Sequence, residues 1–236
     1  MPKGIIFHGP PGTGKTHLAK IVASQVNNAA FYNIRGPELS YELRGGTARK
    51  LRDIFEHAKD NSPALIFFDE IDSIAPRRDQ SQESGRQPVG QLLSLMDGLE
   101  DRGQVVVIGA TNLIDEIDPA LRRPGRFGRE IKFSRPSEKE RKQLFDLYKP
   151  EISFNSRISF EALASRSNGW SGAHIKSFFE QIAEILILER RDKGKQPEVY
   201  PMDIDRAFNR IQDQVDNIER QQRREKEISE KHQNNA

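Results

Sequence analysis

The stretch Gly4–Lys20, GIIFHGPPGTGKTHLAK, decides how the rest of the chain is read. A short apolar run, Ile5 to Phe7, passes directly into a glycine-rich turn, Gly9 to Thr16, and then into a helical pattern running from Lys15 to Asn27. The turn fits the spacing G-x-x-x-x-G-K-T. Glycines at those places allow a loop tight enough for backbone N–H groups to surround phosphate oxygens, and a helix opening there adds a favourable dipole. On this reading Lys15 reaches the β and γ phosphates and Thr16 ligates Mg²⁺.

Further apolar runs follow at intervals: Ala29 to Ile34, Ala64 to Phe68, Val105 to Ala110 and a weaker Glu130 to Phe133. Helical patterns lie between them, such as Leu18, Val22, Val26 and Leu51, Ile54, Phe55, Ala58, at the 3.6-residue period. Buried strands alternating with amphipathic helices predict an α/β fold with a parallel sheet covered by helices over residues 1–149. Beyond Lys149-Pro150 only helical periodicity is legible. Ile175, Phe178, Phe179, Ile182 and Leu186 form one apolar face; Ile204, Ala207, Phe208 and Ile211 form another. A small all-helical domain is therefore expected over 150–215, broken by a loop at Gly194 and Pro197. Residues 216–236 carry charges of both signs and almost no apolar side chains, the pattern of a solvated helix or tail.

A second chemical signal is Ala64–Asp72, ALIFFDEID. An apolar strand ending in three carboxylates within four residues is costly unless a cation lies close, because neighbouring like charges disfavour joint ionisation. Mg²⁺ on a bound phosphate would supply one, at the strand end where open parallel sheets hold ligands. Asp69 is then the metal-side acid, and Glu70 the base that polarises an attacking water. Asp72 reads equally well as a structural residue.

Composition narrows the field. With 31% charged residues but a net charge of only +2, the chain offers no electrostatic argument for nucleic acid or an anionic membrane. The absence of cysteine rules out disulfides and thiolate metal sites. No run of about 18 apolar residues exists and the N-terminus lacks the apolar core of a signal peptide, so a soluble, cytoplasmic protein is expected.

GPPGTGKT, FFDEID, VVVIGATN and DPALRRPGRFGRE together resemble the AAA family of AAA+ ATPases, and within it the ATPase modules of the valosin-containing protein group. The likeness covers roughly residues 2–212. It implies a P-loop NTPase sheet followed by a helical lid, with ATP and Mg²⁺ bound. Gly9, Pro10, Pro11, Gly12, Thr13, Gly14, Lys15, Thr16, His17 and Leu18 would cradle the nucleotide, and Thr16 and Asp69 the metal. Asn112, ending the fourth strand, would be the sensor that hydrogen-bonds the γ-phosphate or the attacking water; a neutral amide orients water without competing for its proton. Of the four arginines in LRRPGRFGR, the resemblance makes Arg123 and Arg126 fingers that act on the neighbouring subunit's nucleotide. Arg129 would join a subunit-interface ion-pair network, and Arg122 would stay outside the site. Gly128 stands where the family has aspartate. In GWSGAHIKS, Gly172 and Ala173 match a turn that packs near adenine, with His174 in place of aspartate, and Tyr148 takes the place of a histidine lining the same pocket. Trp170 reads as packing. The family's adenine-covering segment precedes the first strand and is expected to be missing from this sequence.

The resemblance also places SYELRGG, Ser40–Gly46, at the first pore loop of a ring, with Leu43, Arg44 and Gly45 where an aromatic, an aliphatic and a glycine are usual. Read without the family, these residues connect two helices. The implied function is an Mg²⁺-dependent ATP hydrolase, assembled as a homo-oligomeric ring of six, that remodels, unfolds or disassembles proteins. The alternative is a nucleotide-gated scaffold that binds ATP without threading substrate. No H-E-x-x-H protease motif occurs.

Overall fold

A computed structural model describes residues 3–40, 46–77, 83–101, 104–190 and 198–234. The chain divides into two compact units, Met1–Ser134 and Arg135–Ala236. The division falls before the helix that ends at Tyr148, not after it at residue 149, because Phe145 of that helix belongs to the apolar cluster of the second unit.

The first unit runs β1 (Gly4–His8), α1 (Lys15–Ser24), β2 (Ala30–Arg35), α2 (Gly36–Ser40), α3 (Gly46–Asp60), β3 (Ala64–Asp69), α4 (Glu83–Asp97), β4 (Val105–Thr111) and β5 (Arg129–Lys132). Its five strands pair in parallel in the order β2-β3-β4-β1-β5. The strand period of two splits β3 between two cores. Ile66 and Phe68 face one cluster with Leu51, Phe55, Leu92 and Val107, while Leu65 and Phe67 face another with Phe7, Ala19 and Ile108. The central strands are nearly continuous in buried residues, whereas the edge strand β5 is exposed throughout. Burial on both faces thus holds for the middle of the sheet and not for its edges.

Helix α1 departs from the sequence pattern. It ends at Ser24 with Gln25 as its C-cap, and its buried residues are Lys15, Ala19 and Ala23. Val22 and Val26 are 38% and 46% exposed. Two alanines one turn apart let the helix backbone lie close to the sheet, which larger side chains at those places would prevent. In α3, by contrast, Leu51, Phe55 and Ala58 are buried as the periodicity predicts.

The second unit contains α5 (Glu138–Tyr148), β6 (Ser153–Phe154), α6 (Phe160–Arg166), α7 (Gly172–Arg190), β7 (Glu198–Val199) and α8 (Pro201–Asn234). It is helical except for β6 and β7, a two-residue parallel pair that the helical periodicity did not announce. Its core is aromatic: Phe145 lies 5.7 Å from Phe178 and 6.4 Å from Trp170, and Trp170 stacks on Phe208 at 4.7 Å. Trp170 is fully buried, and its indole N–H donates to Gln212 Oε1 at 2.9 Å, so it packs with its one polar atom satisfied. Helix α8 continues to Asn234, and among its described side chains the last buried one is Val215. No described helix is long and apolar enough to cross a membrane.

Candidate functional site

The site lies at the C-terminal ends of β1, β3 and β4, beside the place where the chain order of the sheet reverses. At the end of β1, Gly9 has φ +137°, and a Cβ there would fall 2.1 Å from the Phe133 carbonyl oxygen, so no other residue fits the turn. Gly14 caps α1 in the left-handed region, with no side-chain capping bond and no acidic residue in the first turn. The first-turn N–H groups are thereby left to an anion, which the helix dipole favours.

Lys15 opens α1 and is only 8% exposed. Its ammonium donates to the carbonyls of Gly9 (2.8 Å) and Pro10 (2.9 Å) and to Asn112 Oδ1 (2.7 Å). Burial lowers its pKa and the charge of Asp69 opposes that shift. Beside it, the Thr16 hydroxyl donates to Asp69 Oδ2 at 2.8 Å, which joins α1 to the end of β3. Lys15, Thr16, Asp69 and Asn112, taken from three separate stretches of sequence, are thus brought together as two hydrogen-bonded pairs joined through the adjacent Lys15 and Thr16. Because the Asn112 carbonyl oxygen accepts from Lys15, its amide N–H₂ remains to donate outward.

Glu70, immediately after β3, is exposed and holds φ +54°, a left-handed conformation that costs a non-glycine residue about 1–3 kcal/mol. Its carbonyl is fixed by the backbone N–H of Ser73 at 3.1 Å and the Ser73 hydroxyl at 2.8 Å. Gly36, opening α2, packs so closely that a Cβ would lie 2.3 Å from that same carbonyl oxygen. The strand end that carries two carboxylates is therefore held through its backbone, leaving both side chains to the site. Asp72 accepts from the Thr111 hydroxyl at 2.5 Å.

The four arginines separate by environment. Arg122 pairs with Glu130 at 2.7 Å. Arg126 is gripped by both oxygens of Asp97, at 2.6 and 2.8 Å, and donates to the Ala120 carbonyl at 2.7 Å. This fork raises the pKa of Arg126 and holds the Asp97 carboxyl below its usual range. Arg123 and Arg129 are exposed. The loop that bears them is closed by backbone bonds from Arg126 to Arg123 and from Phe127 to Leu121, the fully buried Phe127 anchors it, and Gly128 lies against it, a Cβ there falling 3.3 Å from Pro124 Cα.

In the second unit, Tyr148 ends α5 at 37% exposure, and Gly172 and Ala173 begin α7. Ser171 and His174 cap that helix reciprocally: the Ser171 backbone N–H donates to His174 Nδ1 (3.1 Å), and the His174 N–H to Ser171 Oγ (3.4 Å). Burial, then the charge of Arg135, pushes the His174 pKa down. Leu43, Arg44 and Gly45 lie outside the described residues.

Sequence reading missed Asp97, Thr111 and the contact of Gly36 with Glu70. Only Thr111 had a visible signal, a hydroxyl ending a buried strand beside an acidic cluster.

Comparison with known proteins gives a consistent picture. The profile of the "ATPase family associated with various cellular activities (AAA)" matches residues 5–135. A cell division cycle protein 48 homolog of Archaeoglobus fulgidus is 49% identical over 183 residues, 77% of this chain and 25% of the relative. Proteasome-activating nucleotidase 1 of Haloferax volcanii is 39% identical over 218 residues, 91% of this chain and 52% of the relative. Tat-binding homolog 7 of Caenorhabditis elegans is 45% identical over 182 residues, 74% of this chain and 14% of the relative. The chain thus spans between about a seventh and a half of the length of these relatives.

Proposed function

This chain belongs to the AAA family of ATPases, and on that premise we propose that it is an Mg²⁺-dependent ATP hydrolase that works as a ring and remodels proteins or protein complexes. The observation that carries the reading is the joined group of Lys15, Thr16, Asp69 and Asn112. Its members are a buried ammonium, a hydroxyl, a carboxylate and an amide at the N-terminus of a helix, the set that a triphosphate and its cation require.

Backbone N–H groups of Gly9 to Thr16 would hold the phosphates, with Lys15 exchanging its carbonyl partners for phosphate oxygens. Mg²⁺, when bound, would offset charge on the phosphates, and Thr16 and Asp69 are the residues to hold it. Among the described residues no cluster of three or more His, Asp or Glu is arranged to hold an ion, so these two would act together with phosphate oxygens. Glu70, exposed on its fixed backbone, would take the proton of the attacking water, and the free N–H₂ of Asn112 would orient that water or the γ-phosphate. Of the two finger candidates, Arg123 is the exposed one, suited to reach a neighbour's nucleotide. Arg126, held by Asp97, would either be released on assembly or set the loop from which Arg123 projects. Tyr148, Gly172 and Ala173 are proposed on the adenine side, and Leu43, Arg44 and Gly45 on the pore. The resemblance to a proteasome-activating nucleotidase and to a cell division cycle protein 48 homolog supports a protein as the substrate.

The test is ATP turnover per subunit against protein concentration, with oligomer mass followed in parallel. Turnover should rise as the ring forms, and Glu70→Gln should keep ATP binding while losing about 10²–10⁴ in rate. An assembled wild type no faster than Glu70→Gln would overturn the ATPase and favour a nucleotide-gated scaffold.

A further inference from the structure

We propose that Asp72 and Thr111 are positioning residues that hold Glu70 and Asn112 in mutual register. The inference rests on the hydrolase reading above and adds two residues to it.

Glu70 and Asn112 reach the site from different strands, each from the irregular backbone just past a strand end. Something must fix one terminus against the other. Thr111 is the last residue of β4, and only 2% of its surface is exposed. Its hydroxyl donates to Asp72 Oδ1 at 2.5 Å and accepts from the backbone N–H of Leu113 at 2.9 Å. The second bond closes a short turn over Asn112, the residue between them. The first ties that turn to the helical turn Ile71–Ser73, whose opening residue follows Glu70. One buried hydroxyl therefore links the backbone around the amide to the backbone around the carboxylate.

Packing reinforces the bond. Gly109 lies two residues before Thr111, on the same face of β4. A Cβ at Gly109 would fall 2.8 Å from Ile71 Cδ1. The strand thus presents a bare place at Gly109 for Ile71 and a hydroxyl at Thr111 for Asp72. The two contacts locate the turn both along β4 and above it. Asp72 has no need to touch nucleotide in this arrangement. Its carboxylate works through Thr111, and a displacement of about 1 Å at a catalytic group can cost about 10² in rate.

The variants are Thr111→Val, Thr111→Ser, Asp72→Ala and the pair Thr111→Val with Asp72→Ala, all in the assembled protein. Steady-state turnover is measured beside equilibrium binding of a fluorescent ATP analogue. Thr111→Val and Asp72→Ala should each lower kcat about 10- to 100-fold with analogue affinity within about twofold of wild type. Thr111→Ser, which keeps the hydroxyl, should restore kcat to within about threefold. The double variant should be no slower than the slower single one, because both remove the same link. Independently of turnover, Thr111→Val should speed amide hydrogen exchange at Leu113, whose N–H loses its acceptor.

Wild-type kcat in Thr111→Val would overturn the proposal. So would equal loss of kcat and analogue affinity in Thr111→Val and Thr111→Ser, which is the mark of a merely structural role. An assembled wild type no faster than Glu70→Gln would remove the hydrolase reading and this inference together; an active wild type with unaffected variants would remove this inference alone.

Discussion

The exposed Arg123 and the tethered Arg126 make a pair of substitutions whose stability and activity effects should part company. Arg126→Ala removes a two-pronged bond to Asp97 and a bond to the Ala120 carbonyl. Asp97 keeps 55% of its side-chain surface in water, so solvent screens the ion pair and it contributes no more than about 1 kcal/mol. The Ala120 bond, from a side chain that is only 21% exposed, adds roughly another 1 kcal/mol. The expected cost is about 1–2 kcal/mol to the first unit, a fall of roughly 4–8 °C in its melting midpoint. Asp97→Asn should give the smaller, ion-pair part of that fall. About half the difference between Asp97→Asn and wild type should vanish in molar salt, where the screening length shrinks to about 3 Å. Arg123→Ala should change stability by less than about 0.5 kcal/mol. In turnover assays on assembled protein the order reverses in kind: Arg123→Ala should cost about 10³ or more in kcat while leaving the fold alone. The assay is thermal denaturation of dilute protein without nucleotide, paired with turnover at ring-forming concentration. Equal destabilisation by the two arginine variants, or normal turnover in assembled Arg123→Ala, would refute the reasoning.

Two further predictions concern the second unit, whose sole tryptophan, Trp170, is buried in its core and reports on that unit by fluorescence. Phe145→Ala should cost about 3–5 kcal/mol and shift the urea midpoint seen by Trp170 down by roughly 2 M, because α5 folds with the second unit. An unmoved Trp170 transition would mean that α5 belongs instead to the first. His174 accepts from Ser171 through Nδ1, which a proton there would block. Its pKa in the folded chain lies below the 6.5 of an unperturbed histidine, so its contribution to stability is whole above pH 6.5 and is lost as pH falls from there through the folded value. His174→Asp, which keeps an acceptor, should flatten that decline in urea unfolding between about pH 5 and 8; an unchanged slope would assign the decline to other groups.

Much of the site was legible because its signals are local. The turn Gly9–Thr16 is written in glycines whose backbone conformations no other residue adopts cheaply, and the run Ala64–Asp72 shows a buried strand ending in charge. The part of the second unit's core that α7 contributes was likewise visible in the spacing of Ile175, Phe178, Phe179 and Ile182, because one helix carries those four residues. The face of α1 was misread. Leu18, Val22 and Val26 make the more hydrophobic stripe, yet Ala19 and Ala23 are buried, since how closely a helix approaches a sheet depends on what lies beneath it.

The sequence by itself determined the parallel α/β architecture, through the alternation of strand and helix patterns along the chain, and the phosphate-type turn and the carboxylate pair at Asp69 and Glu70, each set by residues within one turn or strand of one another. Only the tertiary structure decided which arginines are tethered, which hydroxyl ties β4 to the turn after β3, and where the first unit ends. Arg126 meets Asp97 across 29 residues and Thr111 meets Asp72 across 39. Such pairings follow from strand order and register, which bring distant strand ends together and leave no periodic trace in the chain.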